Sequence, residues 1–296
     1  MRTTRQSLPF SLLRAARPKQ WMKNVLVAAA PGAAGVLGQR RVLEHTALAF
    51  VAFCLVASGT YLLNDVRDIE SDRRHPTKQR RPIAAGDVPE GLAIVVGIIA
   101  IAAGLAVGLA VNWKFTLVLG VYMAITVGYS VWLKHVTVVD IAAVASGYVI
   151  RAVAGGVAVP VPISEWFLIV AAAGSLFMVA GKRHGEHLDL GDERAEIRPS
   201  LGNYPLSYLR YIWMISSAVA IMGYCLWAFE QAAQRTGFPW YQLSIVPFVL
   251  ALLRYALLLE GGHGSAPEDL VLGDRTLQVL GVIWVGVFAG GVYLGR

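Results

Sequence analysis

Length, composition and charge exclude a soluble protein built around a single core. The chain has 296 residues, of which 56% are hydrophobic and 15% are charged, and its mean hydropathy is +0.57. These values predict a polytopic membrane protein, because no soluble core of this size needs so apolar a composition. The net charge of +7 is explained by cations that flank apolar segments, so no nucleic-acid partner is predicted.

Apolar windows near the ~20 residues needed to cross a bilayer recur along the chain. With a cytoplasmic N-terminus, the inside segments hold 20 of the 26 Lys and Arg residues, and the positive-inside rule then sets the orientation. Residues 1–20 are expected to contain a short helix in the cytoplasmic interface, for which anchoring alone is a sufficient explanation. We predict nine transmembrane helices, at about 22–38, 44–64, 90–111, 114–133, 137–157, 163–181, 206–229, 240–259 and 274–295.

A dense run of charge follows the second apolar window directly. We call residues 64–82 the first charged cluster; it brings acids and cations to the end of a hydrophobic segment. Its cations, which include Lys78 and Arg81, form a surface that could bind anions. For any single cation of this loop, such as Arg74 or Arg80, the positive-inside rule is the preferred explanation.

Three aspartates of this cluster have helical spacing. If the preceding helix continues to Asp72, then Asp65, Asp68 and Asp72 lie on one stripe with Asn64 beside them, while Glu70 points away. Crowded carboxylates near a low-dielectric wall require a cation, and oxygen-only ligands suit a Mg²⁺ ion that also binds substrate phosphate. The alternative is a solvated polar helix end; the metal interpretation is preferred because ionisable groups at membrane depth are usually functional.

Polar side chains also stand in the fourth and fifth predicted spans. Tyr129 and Lys134 close the fourth span, and the fifth contains Asp140, Tyr148 and Arg151. Ionisable groups inside a membrane normally face a bundle interior and have partners. Arg151 therefore belongs either to a site or to a structural pair with a carboxylate, and Asp140 is expected to be structural.

Lys23 and Asn24 mark the entrance of the first window. A Lys at such an entrance has an ordinary interfacial explanation. Both residues could instead face the interior and touch a phosphate. The sequence leaves these two interpretations open.

A second cluster of charge follows the sixth predicted span. We call residues 182–189 the second charged cluster; it includes Lys182, Arg183 and Glu186. No three- or four-ligand zinc set is present in it. Because the two clusters follow the second and sixth spans, we predict two four-helix units plus a ninth helix.

The motifs resemble those of the UbiA superfamily of intramembrane prenyltransferases over nearly the whole chain. The resemblance implies one transmembrane domain over residues 1–296, nine helices, catalytic cytoplasmic loops at about 64–88 and 182–204, and Mg²⁺ that binds a diphosphate through Asp-rich motifs. The matching segments are Asn64-Asp65-x-x-Asp68-x-x-x-Asp72, Arg81-Pro82-Ile83-x-x-Gly86 and Tyr129-Ser130-x-x-Leu133-Lys134.

The second charged cluster departs from the superfamily pattern. Where Asp-x-x-x-Asp is expected, this chain has Lys182-Arg183-His184-Gly185-Glu186, and cations there suit a donor that carries a further phosphate. The chain is most similar to the branch that transfers 5-phosphoribosyl from 5-phosphoribosyl-1-diphosphate (PRPP) to decaprenyl phosphate for cell-wall arabinan synthesis. The segments that carry this are Arg17-Pro-x-Gln-Trp21-x-Lys23-Asn24, Tyr61-Leu-x-Asn64-Asp65, His75-Pro76-Thr77-Lys78 and Phe177-Met-Val-Ala-Gly-Lys182-Arg183.

This resemblance implies a Mg²⁺-dependent phosphoribosyltransferase in the cell membrane, with PRPP and a polyprenyl phosphate as partners and a cytoplasmic active site. Asp65, Asp68 and Asp72 would be catalytic and would hold the metal together with Asn64. The residues expected to bind substrate are Lys23, Asn24, Asn64, Arg67, Lys78, Arg81, Tyr129, Lys134, Tyr148, Arg151, Lys182, Arg183 and Glu186.

Two other functions remain as alternatives. A prenyltransferase of the usual superfamily type would use the first charged cluster to ionise a prenyl diphosphate and join it to an aromatic acceptor; the missing second Asp motif disfavours it. A transporter is disfavoured because both clusters lie on one side and no broken helix marks a midplane site. A homo-oligomer is compatible with the sequence.

Overall fold

The computed structural model describes residues 7–75, 77–190, 199–234, 237–262 and 267–295. These residues form α-helices and three 3₁₀ segments, Pro18–Ala28, Lys78–Arg80 and Leu133–His135, and contain no strand. The α-helices are α1 (Leu8–Ala15), α2 (Ala29–Ala33), α3 (Arg40–Arg67), α4 (Ile69–Arg74), α5 (Glu90–Val111), α6 (Trp113–Val131), α7 (Val139–Ala158), α8 (Glu165–Leu190), α9 (Pro199–Gly202), α10 (Leu206–Ala233), α11 (Trp240–Glu260), α12 (Pro267–Gly273) and α13 (Arg275–Tyr293).

Eight of these helices are long and apolar enough to cross a membrane: α3, α5, α6, α7, α8, α10, α11 and α13. Their outer faces carry large exposed apolar side chains, such as Leu117, Val131 and Val282. A continuous apolar exterior is unfavourable in water and suits a lipid environment. The chain is therefore a multi-pass membrane protein, and the prediction of an all-α membrane fold is confirmed for the described residues.

The predicted count of nine spans is not confirmed. In place of the first predicted helix at 22–38, the chain forms the 3₁₀ segment Pro18–Ala28 and the five-residue α2. Pro31 has no N–H to donate to Val27, which disfavours a regular α-helix through this window. The division into two four-helix units plus a ninth helix depends on the same count and is not confirmed either.

The segment before α3 nevertheless runs along that helix in the opposite direction. Arg17 contacts Asp65 near the C-terminal end of α3, and Asn24 donates from Nδ2 to the sulfur of Cys54, 3.2 Å away, further back along the helix. At about 2.0 Å per residue for a 3₁₀ helix and 1.5 Å for an α-helix, residues 18–33 reach roughly 30 Å. That length is close to the thickness of a bilayer's hydrocarbon core.

Small residues allow the helices near the site to approach closely. A Cβ at Gly59 of α3 would lie 2.5 Å from the Gly97 carbonyl oxygen of α5, and one at Gly155 of α7 would lie 1.8 Å from the Val27 carbonyl oxygen. Only glycine fits at either contact. Close contacts between small residues are the usual means of helix association in lipid, and these two hold the 3₁₀ segment and α5 against neighbouring helices.

Helix α1 packs beside the first charged cluster. Its inner face, with Leu12 and Ala15, joins a small core with Leu62, Ile83 and Val88. Residues 1–6 of the predicted interfacial segment, and residues 191–198 of the predicted loop 182–204, lie outside the described residues. Through this small core, the N-terminal segment packs directly against the segment that follows α3.

Candidate functional site

The helix that carries the aspartates is interrupted at Asp68. Helix α3 ends at Arg67, and Asp68 has φ −93° and ψ 10° before α4 begins at Ile69. The prediction that one helix continues to Asp72 is therefore wrong. The backbone N–H of Asp72 still donates to the Asp68 carbonyl oxygen at 2.9 Å, which ties α4 to the end of α3.

Asp65 and Asp72 meet at one arginine in spite of this break. The Nη1 atom of Arg81 donates to Asp65 Oδ1 at 3.0 Å and to Asp72 Oδ2 at 2.6 Å. Arg17 Nη2 also donates to Asp65 Oδ1, at 2.5 Å. The two carboxylates are 3% exposed, whereas Arg17 and Arg81 are 29% and 28% exposed. Buried acids are thus neutralised by cations that reach solvent, as such burial requires.

Two of the three predicted metal ligands come close to each other. Oxygens of Asp65 and Asp72 lie within 3.0 Å of the same Arg81 nitrogen, so hard oxygen donors of the type that Mg²⁺ prefers converge on one point. Asp68 instead accepts from its neighbour Arg67, Nη2 to Oδ1, at 3.1 Å. Within the described ranges, no group of three His, Cys, Asp or Glu side chains is arranged to hold a metal ion. The stripe of three aspartates with Asn64 stays a prediction.

A cavity of about 230 Å³ opens beside Asp65. It lies between α1, the start of the 3₁₀ segment and the loop after α4. Four arginines contribute to its wall, three of which the sequence did not indicate as site residues. The lining residues are Arg14, Ala15, Arg17, Asp65, Thr77, Arg80, Arg81 and Pro82.

The cations of the second charged cluster are paired with carboxylates of the protein itself. Arg183 is 2% exposed; it donates from Nη1 to Glu186 Oε2 at 2.8 Å and from Nη2 to the hydroxyl of Tyr129 at 3.2 Å. Its Nε atom lies 3.3 Å from Oδ2 of Asp140, which is fully buried. Lys182 is more exposed and lies 3.8 Å from Glu186. Lys182 and Arg183 are thus balanced by two carboxylates.

Tyr204 completes this network from the start of α10. Its hydroxyl donates to Asp140 Oδ1 at 2.5 Å and accepts from the backbone N–H of Val138. Burial and the hydrogen bond to Asp140 raise the pKa of the Tyr204 hydroxyl above its usual range, so the phenol remains a proton donor. The expectation that Asp140 is structural agrees with these contacts.

The two charged clusters face each other at one end of the bundle. Arg67 Nη2 donates to Asp68 and also to the Ser130 carbonyl oxygen, at 2.7 Å, and Ser130 is the neighbour of Tyr129. Ser130 lies near the C-terminal end of α6, and Lys134 follows shortly after it in the 3₁₀ segment Leu133–His135. Lys78 lies in the loop after α4, half-buried, and its backbone N–H donates to His75 Nδ1 at 3.4 Å.

Arg151 lies in the interior, apart from both clusters. It donates to Asn24 Oδ1 at 2.7 Å, to the Gly147 carbonyl oxygen at 2.7 Å and to the Tyr122 hydroxyl at 2.8 Å. Within the described ranges it forms no ion pair, so the pairing with a carboxylate that the sequence allowed is not what the fold contains. Asn24 is fully buried, which excludes the interfacial interpretation for this residue.

Lys23 and Tyr148 meet close to that interior group. The Lys23 ammonium lies 5.8 Å from the centroid of the Tyr148 ring, within the range of a cation–π contact. Because Tyr148 and Arg151 are one turn apart on α7, the structure gathers all four predicted residues beside the middle of the 3₁₀ segment Pro18–Ala28. The fold thus divides the predicted site residues into two facing clusters and one interior group.

Arg14, Arg17 and Arg80 line the cavity, although the sequence did not indicate them as site residues. Arg17 was visible only as part of a motif before Pro18, and Arg14 only as a basic residue of an interfacial helix. Arg80 was explained by topology alone. No spacing rule relates positions 14 and 80, because their proximity depends on how α1 packs against the loop.

Comparison with known proteins fits this arrangement. A model of the UbiA prenyltransferase family matches residues 25–275. The chain belongs to the UbiA prenyltransferase family. The chain is 47% identical to the decaprenyl-phosphate phosphoribosyltransferase of Corynebacterium glutamicum, over 98% of this chain and 89% of that one. It is also 47% identical to the enzyme of the same name from Mycobacterium tuberculosis, over 98% of this chain and 96% of that one.

Solved structures of more distant UbiA proteins have the same fold. A UbiA homolog from Archaeoglobus fulgidus bound to GPP and Mg²⁺ superposes with a TM-score of 0.72 at 18% identity, covering 95% of this chain and 99% of that one. The same archaeal protein bound to Cd²⁺ gives a TM-score of 0.69 at 17% identity, over 95% and 99% of the two chains. At this level of sequence identity, the structural similarity shows that this chain has the same fold as those proteins.

Proposed function

We propose that this UbiA-family chain transfers the 5-phosphoribosyl group from PRPP to decaprenyl phosphate or a similar polyprenyl phosphate. The products are decaprenylphosphoryl-5-phosphoribose and diphosphate, for cell-wall arabinan synthesis. The observation that carries the proposal is the 47% identity, over nearly the full length of both chains, to enzymes named decaprenyl-phosphate phosphoribosyltransferase. All of residues 1–296 would act as one catalytic domain.

The charge balance of the two clusters supports this choice. The second charged cluster has Lys182 and Arg183 where a second metal-binding acid pair would stand in the usual prenyltransferase. Glu186 of this cluster and Asp140 of α7 are already paired with those cations. A second cluster with cations in place of a second acid pair suits a donor that carries a phosphate in addition to its diphosphate.

The metal would be Mg²⁺, held by Asp65 and Asp72 with Asp68 and Asn64 as further ligands. When bound, it supplies positive charge to a diphosphate whose bond to carbon is breaking. Arg81, which already bridges Asp65 and Asp72, provides a guanidinium beside the same group. Lys78 and Lys182 are the further candidates for contact with donor phosphates, whereas Arg183, buried against Asp140 and Glu186, would hold the second charged cluster in place.

The chemistry requires no strong general base. The bond between ribose C1 and the diphosphate oxygen breaks, the diphosphate leaves with the electron pair, and an oxygen of the lipid phosphate forms the new bond to C1. The attacking phosphate is already an anion, so no proton has to be removed. Attack from the face opposite the diphosphate inverts the configuration at C1. The protein contributes mainly orientation and electrostatic stabilisation.

The lipid substrate would enter from the side of the bundle. A polyprenyl chain is too apolar to leave the bilayer for water, so only its phosphate needs to reach the site. Lys23 and Asn24, at the interior group with Tyr148 and Arg151, are the candidates for the end of the lipid. Tyr129, whose hydroxyl contacts Arg183, and Lys134 are further candidates for the wall of the pocket.

The decisive experiment offers the purified protein two pairs of labelled substrates. With radiolabelled PRPP and a polyprenyl phosphate, we expect a labelled lipid that appears with Mg²⁺ and is lost on chelation. With a labelled prenyl diphosphate and an aromatic acceptor, we expect no product. The reverse result would establish the usual prenyltransferase activity and refute the proposal.

The active site is proposed to face the cytoplasm, where a soluble donor is available. A matched pair of variants tests this: Gln39→Cys, just before α3, and Gln79→Cys, in the loop after α4, each in a background without the two native cysteines. An impermeant thiol reagent applied to intact cells should label position 39 and spare position 79. Labelling of position 79 alone would contradict the orientation.

A further inference from the structure

The cavity beside Asp65 is walled by an excess of positive charge. Four arginines from three segments, Arg14, Arg17, Arg80 and Arg81, line it together with Asp65 alone as an acid. Four guanidiniums against one carboxylate leave three formal positive charges. The contact between Arg81 and Asp72, just outside the wall, reduces the excess to two.

The arginines of the N-terminal segment are held in place by specific contacts. Arg14 Nη2 donates to the Arg80 carbonyl oxygen at 2.6 Å, so α1 is fastened across the cavity to the loop. Arg17 stacks over the ring of Tyr61, with 4.7 Å between guanidinium carbon and centroid. Arg17 also has φ 56° and ψ 62°, a left-handed backbone that non-glycine residues rarely adopt and that tends to occur at ligand sites.

Helix α1 has two different faces, and anchoring explains only one of them. Leu8, Phe10 and Leu13 are exposed, as expected of a helix that rests in the lipid interface. Arg14 points instead to the cavity, where it meets Arg80. An anchor has no need of a guanidinium that closes a polar cavity away from the lipid face.

The size and chemistry of the cavity indicate its ligand. Its volume of about 230 Å³ is below the roughly 300–1,000 Å³ of pockets that enclose a whole drug-sized ligand, so it fits one end of a molecule. Planar guanidinium groups bind phosphate at two points. A phosphate placed here would lie next to Asp65, and therefore next to the proposed diphosphate position.

We infer that Arg14, Arg17 and Arg80 form a phosphate subsite for the soluble donor, so that helix α1 is part of the active site. The inference rests on the proposed function, because it takes PRPP as the donor. A phosphate could also come from an anionic lipid headgroup. The donor is favoured because two loop residues, Thr77 and Arg80, and the catalytic Asp65 share the wall with α1.

The test measures equilibrium binding of radiolabelled PRPP to purified protein in detergent, with Mg²⁺ and without polyprenyl phosphate, so that no turnover occurs. The variants are Arg80→Ala, which leaves the carbonyl that holds Arg14 intact, and Arg14→Ala. Each should raise the Kd for PRPP on the order of tenfold, as expected for loss of a charge-assisted contact. Arg74→Ala, which removes an exposed arginine at the end of α4 outside the cavity wall, is the matched control and should stay within about twofold.

Two further measurements separate the possible outcomes. Flotation of each variant with vesicles that contain anionic lipid, and the KM for polyprenyl phosphate, should match the unaltered protein. A loss confined to these lipid measurements would assign the subsite to a headgroup and overturn the inference, as would unchanged PRPP binding in Arg80→Ala and Arg14→Ala. Arg14→Lys, which keeps the charge, should restore part of the binding and guards against a folding defect.

Failure of the proposed function has a different signature. If the unaltered protein binds PRPP and the two alanine variants do not, but no labelled lipid forms, the subsite stands and the transferase reaction is refuted. If labelled lipid forms and both alanine variants bind PRPP as the unaltered protein does, the reaction stands and the subsite is refuted.

Discussion

The two charged clusters both stand at the end of an apolar helical stretch, yet their ion pairs differ in burial. In the first, Arg81 and the neighbouring Arg17 of the N-terminal segment are more than a quarter exposed and bind buried carboxylates of α3 and α4. In the second, Arg183 is 2% exposed and its partner Asp140 is fully buried. These cations are accessible to a ligand from solvent, whereas Arg183 is held inside the protein.

We therefore use the burial of a cation, rather than the presence of charge, to distinguish a ligand-binding residue from a structural one. A buried ion pair is costly to break, because the partner that remains is an uncompensated charge. A pair that solvent can reach costs little to rearrange. From this difference we expect variants of the first cluster to change activity and variants of the second to change stability.

The largest effect is expected for Asp65→Asn and Asp72→Asn. Each removes a carboxylate that we propose as a metal ligand, and loss of the electrostatic stabilisation should lower kcat by on the order of 100-fold or more. Initial rates with PRPP and a polyprenyl phosphate measure it, and thermal unfolding in detergent verifies that the variants are folded.

Glu70→Gln is the control for these variants. Glu70 is exposed, and its carboxylate accepts from Arg73 at 3.2 Å on the solvent side, so the rate should stay within about twofold. Asp68→Asn is expected to follow Asp65→Asn; a mild effect would remove Asp68 from the metal site. Equal losses at Glu70 and Asp65 would contradict the assignment of the first charged cluster.

The next effect concerns stability. Arg183→Ala leaves the buried Asp140 without its cation and removes one of the two cations near Glu186, which should cost about 3–5 kcal/mol of unfolding free energy, measured by chemical unfolding in detergent. Lys182→Ala is the matched control: its ammonium is a third exposed and 3.8 Å from Glu186, so the cost should be below about 1 kcal/mol. A stable Arg183→Ala protein with a raised KM for PRPP would show instead that Arg183 binds phosphate.

A smaller loss is expected from Tyr204→Phe. This change removes the hydroxyl that donates to Asp140 and leaves a buried acceptor short of one partner, at a cost of about 1–2 kcal/mol. Tyr208, whose ring stacks on Tyr204 at 5.9 Å, provides the control, because its hydroxyl forms no hydrogen bond within the described ranges. Unfolding of Tyr208→Phe should match the unaltered protein; equal losses would attribute the effect to ring packing.

The smallest effect is expected at an ion pair that solvent reaches. Arg254 Nη2 donates to Asp274 Oδ2 at 2.6 Å, and this hydrogen bond lowers the pKa of the Asp274 carboxyl. A carboxyl with a depressed folded pKa stabilises the protein above its unfolded pKa of about 4 and loses that contribution as the pH falls further.

Asp274→Asn tests this pair without removing the cap of α13, since Asn caps helices as well as Asp does. The melting temperature of the variant should lie slightly below that of the unaltered protein at pH 7, and the gap should close as the pH falls below about 4. If Asp274→Asn lowered the melting temperature at pH 7 by more than Tyr204→Phe does, charge pairing would contribute more to stability than the buried hydrogen bond.

The family motifs located the two clusters because they are continuous in the chain. Asp65 and Asp72 could be placed together from helical spacing, although the helix breaks at Asp68 between them. The same spacing could not show that Arg81 would bridge them or that Arg17 would approach from the other side. Those contacts depend on the path of the N-terminal segment, which forms the 3₁₀ segment Pro18–Ala28 in place of one regular α-helix.

The sequence by itself determined the class of the protein and the kind of residue at the site. Composition and apolar windows are sums over neighbouring residues, so they require no knowledge of distant contacts. The tertiary structure decided the partners: Arg151 meets Asn24, which lies 127 residues away in the chain, and Arg183 meets Tyr129 across 54 residues. Such pairs form because helix packing brings them together, and local spacing carries no information about which helices pack.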